Sequence, residues 1–178
     1  MSIARLNPVN LILIFILTVL LSGFQTTFWF QIFGSLPAPL LWLNLVLYLI
    51  LYRKSLEGIL TIYGIGVLLH PYTAMPLGYL WLSLLIAFVV MTFVKKRVFW
   101  TGSRYFFMAS IGIGFTYHIT YFFISRGFDT NPAALNFFHR SFEIVFTALA
   151  SIPTYALLAW IDQVTHKEIL PEGGSAET

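Results

Sequence analysis

His118 stands in the middle of an apolar run, FTYHITYF, with Tyr117 and Thr120 beside it. An imidazole there could relay protons or hold a ligand. The plainer reading is a neutral ring hydrogen-bonded between two helices, and it is favoured because ionisable groups are scarce away from the ends of such runs. A Ser-His-Asp arrangement would need a carboxylate near His70 or His118, whereas the nearest external acids, Asp129 and Glu143, lie in or beside a loop. No HExxH, GxSxG, Walker A or DxxxD pattern occurs. The sequence therefore predicts no catalytic residue, no cofactor and no metal site, and a chain that is not an enzyme.

The remaining candidates suit contact better than chemistry. His139, Arg140 and Glu143 have spacings of three and four that allow His–Glu and Arg–Glu pairs on one helix. A rim salt bridge is the plain reading of that trio, and a docking surface for an extracytoplasmic partner is the functional one. Gly58, Ile62, Gly66 and His70 recur every fourth residue and share one helix face. Ser110 and Gly114 lead up to His118 in the same way. In lipid, helices associate through close van der Waals contact, so both small-residue faces read as packing surfaces. Internal packing is the favoured use of each glycine, with a partner helix the alternative.

The elements that carry these residues must be membrane helices. Hydrophobic residues make up 58% of the chain, aromatics 18% and charged residues 10%, and the mean hydropathy is +0.84, well outside soluble usage. At 178 residues the chain has no room for an ATPase or a large extramembrane enzyme. The net charge of +3 does not point to nucleic acid, because the basic residues sit at the ends of apolar runs. Cysteine is absent, which excludes disulfides and thiolate metal sites.

Six runs approach the length needed to cross a bilayer: 9–24, 39–52, 56–69, 77–94, 105–124 and 142–161. Arg5 ahead of the first resembles the front of a secretory signal, but the rest of the chain is equally apolar, so the run is read as a first span. The second and third are short and must borrow flanking residues or sit in a thinned region. They are expected as two tilted spans meeting at a wet tip, since a re-entrant hairpin would put Arg53, Lys54 and Glu57 in hydrocarbon. Of 10 Lys and Arg, one side collects Arg5, Arg53, Lys54, Lys95, Lys96, Arg97, Arg104 and Lys167, and the other Arg126 and Arg140. Both termini are thus expected in the cytoplasm, with Lys95–Arg97 anchored beside anionic lipid. Asn131 and Pro132 signal the start of a long last helix, in which Pro153 offers a kink. The expected organisation is an all-α, six-span domain over residues 1–167 and a disordered cytoplasmic tail over 168–178.

The order of features resembles a known family. A polar-proline entrance (GSLPAPLLWLNLVLYLILY) leads to a basic tip followed by Leu-Glu-Gly, a glycine-bearing third span, and a short loop ending MPLG before a long fourth span. Over residues 25–165 this is similar to the MreD family, the small membrane subunit of the bacterial rod-shape complex. That family usually closes its third span with an acidic residue, where this chain has His70. The resemblance implies a non-enzymatic subunit of the bacterial inner membrane that binds MreC and supports regulation of RodA and its penicillin-binding transpeptidase, with MreB filaments acting indirectly from the cytoplasmic side. Membrane lipids are the other expected contact, and nucleic acid is not. The alternative is the substrate-binding S component of an energy-coupling-factor vitamin transporter, a fold MreD resembles in topology. Against transport, the first span, VNLILIFILTVLLSGF, lacks the Ala-xxx-Ala pattern by which such components meet their coupling subunit.

Overall fold

The computed structural model describes residues 7–97, 102–129, 132 and 136–167, and among them all regular structure is helical. Helix α1, Pro8–Phe33, starts at an Asn7 cap whose side chain accepts from the amides of Val9 and Asn10, with Pro8 at the first helical position. It loosens into a π-turn over Phe24–Phe28 and ends at Gly34, whose φ of 61° is the left-handed conformation that closes a helix. Then come α2 (Leu41–Tyr52), α3 (Ser55–Leu69), α4 (Leu77–Arg97), α5 (Gly102–Phe128) and α6 (Phe137–Val164). Helices α1, α4, α5 and α6 are each long and apolar enough to cross a membrane.

Helix α2 is the centre of the bundle. All twelve of its residues are buried, and each of the other five helices packs against it. A helix that is apolar all round has no face for water, and LWLNLVLYLILY is nearly such a sequence. It is about 18 Å long, and the preceding residues 37–40 are non-helical and buried. Buried non-helical backbone must find partners for its polar groups. Pro37 and Pro39 reduce that demand because neither carries an N–H, and the Leu40 amide donates to Thr147 Oγ1 at 2.8 Å. Of the flanking residues 31–38 expected to lengthen the second span, only 37 and 38 are buried, and 31–33 belong to α1.

Two expectations are corrected. Arg53 is 2% exposed, not at a wet tip, although its neighbour Lys54 is exposed. The sixth helix starts at Phe137, where the Asn136 side chain accepts from the His139 amide. Pro132 lies outside it, and Asn131 lies outside the described residues. Pro153 is accommodated inside one continuous helix. The tail 168–178 and Arg5 also lie outside the described residues.

Candidate functional site

The glycine faces are internal. A Cβ at Gly66 would stand 2.5 Å from Trp81 Nε1 of α4, so only glycine admits the indole, which stacks on Tyr63 at 4.2 Å and donates to the Tyr63 carbonyl. Gly58 sits beneath the Leu49 carbonyl with Phe88 alongside, and Gly114 against Ile144 of α6. Gly58, Ile62 and Gly66 are buried as their spacing predicts, but His70 is exposed. The α-helix ends at Leu69 and His70 opens a tighter 3-10 turn, which breaks the four-residue phase.

Ser110 is buried and belongs to a polar link across the bundle centre. Its hydroxyl donates to Asn44 Oδ1 at 2.6 Å, and Asn44 Nδ2 donates to the Thr147 carbonyl at 2.8 Å. Both ends of the one amide side chain in α2 are thereby satisfied, which an apolar interior demands.

The largest cluster gathers at the end of the bundle where Lys54, Lys95 and Lys167 also lie. Asp162, 1% exposed, accepts from Asn10 Nδ2 at 2.9 Å, from the Tyr48 hydroxyl at 2.7 Å and from the Arg53 guanidinium. Arg53 also donates to Asn10 Oδ1 at 3.0 Å. Around this core, Asn7 Nδ2 donates to the Thr165 carbonyl and Lys167 pairs with Glu57 at 2.8 Å. A buried cation is costly unless a well-placed carboxylate and further hydrogen bonds meet it, and Asp162 supplies the first while Asn10 adds to the second. Reasoning from sequence treats Arg53 as a topology marker and gives Asp162, Asn10, Tyr48, Asn44 and Thr147 no role. The available signal is a basic residue following an apolar run and an acid, Asp162, placed just past the last run's close in WIDQV.

At the opposite end, Glu143 is the hub. Arg140 Nη1 donates to its Oε2 at 2.9 Å, His139 Nε2 lies 3.5 Å from its Oε1, and His118 Nε2 reaches to 3.4 Å from Oε2 out of α5. The helical pairs appear as their spacing predicts. The approach of His118 is an addition that no local spacing shows, because it joins residues on two helices. Neither ring nitrogen of His118 makes a hydrogen bond, which departs from the expectation of an imidazole bonded between helices. Exposure grades from His118 at 8% to His139 at 44%, so the cluster runs from interior to rim. No group of three or more His, Cys, Asp or Glu among the described residues is arranged to hold a metal. The chain matches no family model, no curated protein and no solved structure.

Proposed function

We propose that the chain is a non-enzymatic scaffold subunit of the bacterial rod-shape complex, of the MreD kind. It crosses the inner membrane six times with both termini cytoplasmic, binds MreC, and supports control of peptidoglycan synthesis by RodA and its transpeptidase. One observation carries the non-catalytic part of this reading: the buried side chains Asn10, Tyr48, Arg53 and Asp162 are bonded to one another across helices, as Asn44 is to Ser110. Groups used in that way fix helix positions. The orientation rests on the basic end, where Arg53, Lys95 and Lys167 come together with Asn7 and Thr165. The identity of the complex rests on the resemblance of residues 25–165.

The transport reading keeps one observation in its favour: His118 and Glu143 form a buried pair below a rim of His139 and Arg140, a polar mouth that a small ligand could enter. Purification of a tagged copy from its native membrane, with mass spectrometry of what stays bound, separates the two. MreC, RodA or the transpeptidase in stoichiometric amount is the expected result. Paired ATPases with a coupling subunit would overturn it and establish transport.

A further inference from the structure

The polar bonds that cross between helices are not spread evenly through the bundle. Divide the chain into α1–α3 and α4–α6, and Asn7, Asn10, Leu40, Asn44, Tyr48 and Arg53 in the first half meet Ser110, Thr147, Asp162 and Thr165 in the second. Glu57 to Lys167, the Ile50 carbonyl to Lys95 and the Tyr63 carbonyl to Trp81 cross the same boundary. These contacts form a seam that follows α2 from Leu40 to Arg53, with α2 seated in the face that α4, α5 and α6 present.

The two sides of the seam differ in how they would stand alone. Helices α4, α5 and α6 are each long enough to cross a bilayer, and α5 packs closely on both its chain neighbours, Gly114 of α5 taking Ile144 of α6. The first half contains a twelve-residue helix, a buried non-helical entry and a buried cation. Without the second half, the Leu40 amide loses its acceptor and Arg53 loses its carboxylate, leaving only the neutral amide of Asn10 and the distant carboxylate of Glu57 at 3.9 Å. An unpaired cation and an open backbone donor are both heavily penalised in an apolar interior.

We propose that α1–α3 and α4–α6 are two conformational units that part along this polar seam, with Asp162 as the latch that holds them together. Opening starts at the basic end, where a single carboxylate gathers groups from α1 and α2, and it releases α2 from its seat while α4–α6 stays assembled. The device is independent of which assembly the chain serves.

Amide hydrogen exchange of the full chain in lipid nanodiscs, read by mass spectrometry, tests this. Asp162→Asn keeps the size of the side chain and removes its charge. Exchange in residues 38–60 is expected to rise by about tenfold or more, while residues 105–155 stay within about twofold of the parent. The charge swap Arg53→Asp with Asp162→Arg is expected to return 38–60 toward its parent protection. An equal rise in both halves, or no rise in 38–60, would overturn the proposal. If Asp162→Asn is not recovered folded, Thr147→Val is read in the same two segments, with a rise of about fivefold expected in 38–60, because it removes the acceptor of the Leu40 amide without touching a charge.

Discussion

The two ends of the bundle each centre on one buried acid, and they use it differently. Asp162 binds groups from α1 and α2, at separations of 152, 114 and 109 residues, and it is closed off from the surroundings. Glu143 takes two of its three partners from its own helix, three and four residues away, and its cluster opens to a rim where Arg140 is 35% and His139 44% exposed. A buried acid therefore locks distant elements at one end, and at the other serves mainly its own helix, with His118 of α5 reaching across. Burial and sequence separation decide which, because a screened i,i+4 pair is worth little while a buried pair joining far segments cannot be broken on one side without leaving a bare charge.

This contrast is open to direct attack. The largest effect is expected from Arg53→Met or Asp162→Leu alone, each costing about 3–5 kcal/mol, with the double variant recovering most of it. Unfolding of the four proteins by graded SDS in mixed micelles measures the cycle, and additive losses would contradict the clamp. Gly66→Leu should cost about 1–3 kcal/mol by forcing Trp81 aside, in part restored by Trp81→Ala. An unchanged unfolding curve for Gly66→Leu would remove the close-approach account. Thr147→Val, at the bundle centre, is expected to cost about 1 kcal/mol, within the range found for hydrogen bonds between membrane helices. At the opposite end, Arg140→Gln should change stability by less than about 1 kcal/mol. A loss there comparable to that of Asp162→Leu would abolish the distinction between the ends.

Much of the fold is legible in the sequence, and the limits have physical causes. Hydropathy finds a run for each of the six helices among the described residues, although the first run stops at 24 and its helix continues to Phe33. It does not find that the shortest run is the central one. The sign of this lies in LWLNLVLYLILY having no polar face apart from Asn44, a pattern that suits enclosure by other helices. Counting Lys and Arg by loop treats all basic residues alike, so Lys54 and Arg53 look equivalent although one is exposed and the other is the buried half of an ion pair. Helix periodicity relates residues three and four apart, which recovers Arg140 with Glu143 and places Gly58 and Gly66 inside. It is silent on Asn44 with Ser110, or Arg53 with Asp162, where the partners are brought together only by tertiary packing. The misplaced start of α6 has a local cause: two Asn residues, 131 and 136, compete as caps, and composition alone favours the one followed by proline.

The Asn7 to Thr165 hydrogen bond, at 2.7 Å, puts the two ends of the described chain side by side. Adjacent ends are the geometric condition for circular permutation. A connection of a few residues from Lys167 to Asn7 would let the chain be opened instead between α4 and α5, at the end of the bundle where Asn7 and Lys167 lie. In that permuted order α5 and α6 are made first and α1 to α4 follow, so that the carboxylate of Asp162 is already in the membrane when Arg53 emerges. The same closed bundle would then be reached with the order of its two charges reversed.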